Sequence, residues 1–274
     1  MNDAPVAGAM AISLPTEKML AHIDGPIGWI TFNNPSRRNA VSLDMWAAIP
    51  TILDRFESDP DVRVVVLRGA GETAFVSGAD ISQFEKARSS PETNVQYEHA
   101  VDEATQRLHA CTRPTIAMIH GWCIGGGVGI AVSCDLRIAA DNAKFGIPAA
   151  RLGVGYGHKG VKKLMDLVGP SFTKEIFYTA RHFTAEEARM MGLLNRVLPA
   201  DELEAYVRGY CATIADNAPL TIRTLKHTVG ELLKGGDGDL ASSERMVKAC
   251  FASADFIEGR RAFMEKRRAV FQGK

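Results

Sequence analysis

The chain has 274 residues, enough to bury one large core or a core with an appendage. Lys plus Arg and Asp plus Glu balance at 32 each, which argues against a dedicated nucleic-acid or membrane-surface binder. No apolar run reaches the length of a membrane-spanning helix, and the five scattered cysteines form no CxxC pair, the pattern of reduced, buried thiols in a cytoplasmic protein.

In chain order, residues 1–16 lack a basic segment before their small apolar stretch and read as a flexible tail. "MLAHIDGPIGWITFNNP" then reads as two short strands joined at Asp24-Gly25. "SLDMWAAIPTILDRFESDP" is a helix that Ser42 can cap. Leu43, Trp46, Ile49, Leu53 and Phe56 fall near helical spacing, with a kink expected at Pro50. "VRVVVLRG", "TIAMIHG" and "LRIAA" are buried strands by their apolar, β-branched content. The strand–loop–strand–helix rhythm recurs, which predicts a stacked or coiled α/β arrangement. From about Gly160 the pattern is almost entirely helical. Thr184 and Glu187 form a capping box, Gly192 ends that helix, Pro219 suits a first turn, and "GGDG" breaks the chain at 235–238. The final stretch is a basic amphipathic helix and tail.

Two segments suit oxyanion binding. "AFVSGADISQF" breaks at Gly78, with a helix expected from Ala79 or Asp80. "CIGGGVGIA" places Gly125, Gly126 and Gly127 between a strand and a helix. Each offers unpaired N–H groups at a helix start, and glycine lets a substrate approach the backbone. "GVGYGHKG" matches GxGxxG at Gly155, Gly157 and Gly160, but its preceding "IPAARL" is a poor strand, which speaks against a dinucleotide site. Tyr156 and His158 sit in that glycine-crowded loop and are candidate site residues. His120, flanked by apolar residues, reads as structural. No metal-ligand motif is present.

Taken in order, "NNPSRRNAVS", "AFVSGADISQF", "IHGWCIGGGVGIAVSCDLRIAADNAKFGIPAARLGVGYG" and "FTAEEARMMGLLNRVLP" resemble the crotonase (enoyl-CoA hydratase/isomerase) superfamily, from about residue 17 to 274. The resemblance implies an α/β fold, a crotonase-like spiral of β-β-α turns over 17–200, followed by a helical trimerisation region over 201–274. It implies an acyl-CoA thioester substrate, a homo-trimer or homo-hexamer, no nucleic-acid or membrane partner, and no cofactor beyond the coenzyme A of the substrate. By position, the thioester oxygen falls to the N–H groups of Ala79 and Gly126. Arg38, Ala40, Ala79, Asp80, Ile81, Phe263 and Lys266 match positions that meet coenzyme A. Hydratases of the family carry two glutamates where Gly129 and Ala149 stand here, and neither residue can activate water. "LGVGYGHKGVKKL" resembles methylmalonyl-CoA decarboxylases of the superfamily, which place a tyrosine at Tyr156 but a histidine at Ala79. The readings therefore comprise an enolate-stabilising acyl-CoA enzyme, a decarboxylase using Tyr156, an isomerase drawing on Glu98 or His99, and a non-catalytic acyl-CoA binder.

Overall fold

The computed structural model describes residues 10–80 and 91–274. Strands β2 (Met19–Asp24) and β3 (Ile27–Phe32) form the expected hairpin, with Asp24 opposite Ile27. Gly25 takes φ +56°, a conformation that favours glycine in a tight turn. Helix α1 (Leu43–Ser58) runs through Pro50 without a break, and its inner face buries Met45, Trp46, Ile49, Ile52, Leu53 and Phe56. β4 (Val64–Gly69), β5 (Ala74–Val76), α2 (Pro91–Ala110), β6 (Thr115–Ile119) and β7 (Trp122–Ile124) follow. Then come α3 (Gly126–Ser133), β8 (Leu136–Ala140), β9 (Lys144–Gly146), α4 (Ala149–Leu152) and α5 (His158–Thr179). α5 is interrupted at Gly169, which takes φ 74° just before Pro170.

β10 (Phe183–Thr184), α6 (Ala185–Met190) and β11 (Arg196–Leu198) correct the expectation that the chain is almost purely helical beyond Gly160. These strands have two and three residues, too short to show a period-2 pattern. The remainder is helical: α7 (Leu203–Ala215), α8 (Pro219–Leu232), α9 (Leu240–Phe251) and α10 (Ala254–Met264). A further correction concerns the tail assigned to residues 1–16. Met10–Ile12 form β1, which pairs antiparallel with β2.

The strands make two sheets, a seven-stranded one ordered β1-β2-β3-β4-β6-β8-β11 and a four-stranded one ordered β10-β9-β7-β5. β3, β4, β6, β8 and β11 run parallel, with both faces covered, and so read as near-continuous apolar runs. One face joins the main core with α1. The other holds Ile27, Trp29, Val64, Val66, Ile116, Met118, Ile138 and Ala140 under Leu203, Val207 and Cys211 of α7. α7 lies beyond residue 200 yet packs on the sheet, so the core draws on residues past the boundary expected there. Burying each such aliphatic side chain is worth about 1.5–3 kcal/mol.

Four of the five cysteines are buried and reduced, and burial pushes the Cys111 thiol up to about 11. Among the described residues no helix is long and apolar enough to cross a membrane.

Candidate active site

The site begins with two peptide N–H groups. Val41 and Ala79 form an isolated parallel bridge. The Val41 N–H donates to Gly78 O at 2.9 Å, and the Asp80 N–H donates to Val41 O at 3.0 Å. Extended backbone alternates its polar groups, so the N–H of Ala79 points to the opposite side. Gly126 is the first residue of α3, where an N–H has no partner within the helix. Among the described residues neither amide donates a hydrogen bond. A Cβ built on Gly126 would lie 3.9 Å from the Ala79 nitrogen, so the two segments come close at these residues. The neighbouring Gly125 amide is already used, donating to Gly146 O at 2.8 Å.

The three glycines have three different reasons. Gly125 takes φ 54° and ψ −110°, open only to glycine without strain. Gly126 faces the gap between Ala79 and the Trp46 ring, 3.5 Å from where its Cβ would stand. At Gly127 a Cβ would sit 2.2 Å from Val76 O, so glycine there lets α3 press against β5. By contrast, a Cβ at Gly129 would meet nothing within 4 Å. Space for a side chain exists where the sequence supplies none.

The loop 33–42 fixes the Ala79 side of the gap. The Ser77 N–H donates to Arg38 O at 3.1 Å, and Ser77 Oγ donates to Arg37 O at 3.2 Å. The loop is held in turn by Asn39, which is 1% exposed. Its Nδ2 donates to Ala70 O at 3.1 Å and Ala74 O at 2.7 Å, and its Oδ1 accepts from the Asn34 N–H at 3.1 Å. Arg38 and Asn39 both adopt positive φ, 51° and 57°, a backbone cost that these buried bonds offset.

The other sequence candidates fall as follows. Ala40 is buried and its carbonyl accepts from Asn34 Nδ2, while Arg38 is exposed beside it. Asp80 flanks Ala79, and Ile81 lies outside the described residues, as does the body of the helix expected from Ala79 onward. Tyr156 is 41% exposed, edge-on to Phe177 with ring centroids 5.0 Å apart. His158 opens α5, also exposed. The segment before "GVGYGHKG" is helix α4, not a strand, so the framework of a dinucleotide site is missing there. Phe263 and Lys266 lie at the end of α10, with Phe263 83% exposed and Lys266 at φ 53°. Glu98 and His99 are exposed on α2, His99 within 3.9 Å of Glu103. His120 is half-buried with its Nδ1 unpartnered among the described residues, and burial lowers its pKa.

Sequence reasoning missed Tyr97. Its hydroxyl accepts from Trp46 Nε1 at 3.1 Å; both residues are buried, and the Trp46 ring lies 3.5 Å from where a Gly126 Cβ would stand. The signal was present in the spacing. Tyr97, Ala104 and Leu108 make the buried stripe of α2, whereas Glu98 and His99 fall outside it.

Comparison with known proteins gives the family. The sequence profile described as Enoyl-CoA hydratase/isomerase matches residues 22–274. A short-chain-enoyl-CoA hydratase of Clostridium acetobutylicum is 33% identical over 246 residues, covering 89% of this chain and 94% of that one. A crotonyl-CoA hydratase of Syntrophomonas wolfei is 33% identical over 259 residues, covering 94% and 99%. The crystal structure of an enoyl-CoA hydratase/isomerase family protein from Hyphomonas neptunium superposes with a TM-score of 0.90 at 35% identity, over 94% of this chain and 98% of that one. With its paired-sheet α/β architecture and a match along nearly its whole length, the chain belongs to the enoyl-CoA hydratase/isomerase family of the crotonase superfamily.

Proposed function

We propose that this chain is an acyl-CoA-processing enzyme that stabilises a thioester enolate. The thioester oxygen sits between the amides of Ala79 and Gly126. The observation that supports the reading is the closeness of two backbone amides with no hydrogen bond among the described residues, the Gly126 Cβ position standing 3.9 Å from the Ala79 nitrogen. Such donors act on the charge that develops in the transition state, and losing one typically costs about 2.7–4 kcal/mol. The names of the relatives support an acyl-CoA substrate.

The proton chemistry differs from hydration by a glutamate pair. Gly129 and Ala149 carry no ionisable group. Either the substrate generates its enolate without a base, as loss of carbon dioxide does, or a group outside those two positions moves the proton. Coenzyme A is held by the loop containing Arg38 and Ala40, with Phe263 and Lys266 reaching it from the C-terminal helix of the same or a neighbouring subunit. The exposed Leu225, Leu232, Phe251 and Ile257 of the C-terminal helices support a homo-trimer or hexamer.

The test is calorimetric titration with acyl-CoAs, followed by turnover assays on 2-enoyl, 3-enoyl and malonyl-type thioesters. Conversion of any of them is the expected outcome, and the class converted identifies the net reaction. Tight binding with no conversion in all three would make the chain a non-catalytic acyl-CoA binder.

A further inference from the structure

α3 carries the Gly126 donor at its N-terminus, and an unusual residue holds its other end. Arg137, on β8, is 3% exposed. A buried arginine ordinarily pairs with a carboxylate. Here, among the described residues, it has none, and its guanidinium is spent on carbonyls. Nη1 donates to Cys134 O at 2.8 Å and, at 3.5 Å, to Ala131 O. Nε donates to Leu193 O at 2.7 Å, and Nη2 to Asn195 Oδ1 at 3.4 Å. The Arg137 N–H also donates to Asn195 Oδ1 at 2.8 Å, and the Asn195 N–H donates to Arg137 O at 2.9 Å.

Ala131 lies in the last turn of α3 and Cys134 caps it, the Cys134 N–H donating to Ala131 O at 3.2 Å, and the carbonyls at this end carry the negative end of the helix dipole. A cation there is favourable, and the planar fork of arginine reaches several carbonyls at once. Other side chains serve the same turn. Ser133 Oγ donates to Gly129 O at 2.8 Å, and Lys163 Nζ donates to Ser133 Oγ at 3.2 Å. Arg137 ties the helix end to the 193–195 turn that follows α6, while Lys163 of α5 links Ser133 to Thr105 O of α2 at 3.0 Å.

α3 has eight residues, a rod of about 12 Å. Its contact with β5 is backbone-close at Gly127, and a rod this short transmits a displacement of one end to the other. A shift at the carbonyl end therefore moves the amide end. A reacting geometry misplaced by about 1 Å costs on the order of 100-fold in rate.

We propose that Arg137 is a positioning residue for the oxyanion site: by clamping the C-terminal carbonyls of α3 to the 193–195 turn, it sets where the Gly126 N–H points. This rests on the oxyanion reading above and names a residue on which that reading depends. Substrate need not touch Arg137, so its loss should spare binding and impair polarisation.

The experiment uses the full-length protein and an aminocinnamoyl-CoA thioester. The absorption band of that probe moves to longer wavelength when its carbonyl accepts strong hydrogen bonds. Wild-type protein should bind the probe with a red shift. R137M, which keeps the aliphatic length and loses the donors, should bind within about threefold of wild type and lose at least half of the shift. On any substrate turned over, its kcat should fall at least about tenfold with KM little changed. R137K, with one donor centre that cannot span both carbonyls, should be intermediate. V207A, in the separate core under α7, is the stability control. It should lower the melting temperature and keep the full shift.

A full red shift in folded R137M overturns the proposal. If R137M does not fold, R137K decides, and a wild-type shift in R137K overturns it. A wild-type protein that does not bind the probe, or binds it without a shift, overturns the oxyanion reading and this inference together. Loss of the shift in V207A to the same degree as in R137M also overturns it, since a general loss of stability would then suffice.

Discussion

Gly126 stands at the first position of α3, where proline is tolerated because the missing N–H has no helical partner. G126P should therefore keep the fold while removing one donor. Turnover should fall about 100- to 1,000-fold, and steady-state kinetics on the substrate class identified by titration would check it. An unaffected rate would remove Gly126 from the oxyanion site. Asn39 makes a second residue-scale case. N39A leaves two buried carbonyls, Ala70 O and Ala74 O, without the donor they have now. It should cost about 2–4 kcal/mol in urea unfolding, and N39D should fare no better, since a carboxylate has no proton to offer them. The glycine triplet was legible in the sequence as a strand-to-helix junction, which it is. Asn39 was not, because its partners lie 31 and 35 residues away and nothing local marks the pairing. The open space at Gly129 yields a gain-of-function test. G129E with A149E should raise hydration of a 2-enoyl-CoA at least about tenfold if only the two acids are missing.

Helix ends follow local chemistry, and several were legible, although Ser42 stands at the start of α1 with its hydroxyl donating to Asp44 rather than capping the helix. The box read at Thr184 and Glu187 is formed, with the Glu187 N–H donating to Thr184 Oγ1 at 3.2 Å and the Thr184 N–H donating to Glu187 Oε2 at 2.7 Å. T184A should lower stability by about 1 kcal/mol, visible as a shift in the denaturant midpoint. Pro219 opens α8 as its sequence position implies. The end of α10 holds a device that pattern reading did not reach. Lys266 takes a left-handed conformation, after which Arg267 turns back to Glu258 at 2.6 and 2.9 Å. The Val270 N–H also donates to Glu258, and Asp255 accepts from the Gln272 and Gly273 N–H groups. The Arg267 guanidinium, then the Val270 N–H, lower the Glu258 carboxyl from 4.5 to about 2. Because the folded value is depressed, its stabilising effect is complete above the unfolded value. It is lost as pH falls through about 2. Amide exchange at Val270 should quicken over that window in wild type, and E258Q should abolish the pH dependence.

At the scale of the molecule, the parallel sheet needs cover on both faces, and α7 supplies one cover from beyond the boundary that sequence set at 200. The exposed apolar residues of α8–α10 leave a surface that the proposed trimer or hexamer would bury. Light scattering should return three or six times the 29.7 kDa of one chain, and a monomer would count against the assembly.

The sequence by itself determined the hairpin turn, the helix caps, the glycines at strand-to-helix junctions, the membership of a family, and the absence of acids at positions 129 and 149. Each depends on residues near one another in the chain, where φ preference, capping and period are local effects. Only the tertiary structure decided that a Cβ at Gly126 would stand 3.9 Å from the Ala79 nitrogen, that Gly127 is glycine for its approach to Val76, and that Trp46 Nε1 meets the Tyr97 hydroxyl. The same holds for the partners that Asn39 and Arg137 find in other segments. Those facts depend on distances between segments tens of residues apart, and the packing of the two sheets, rather than any local propensity, sets them.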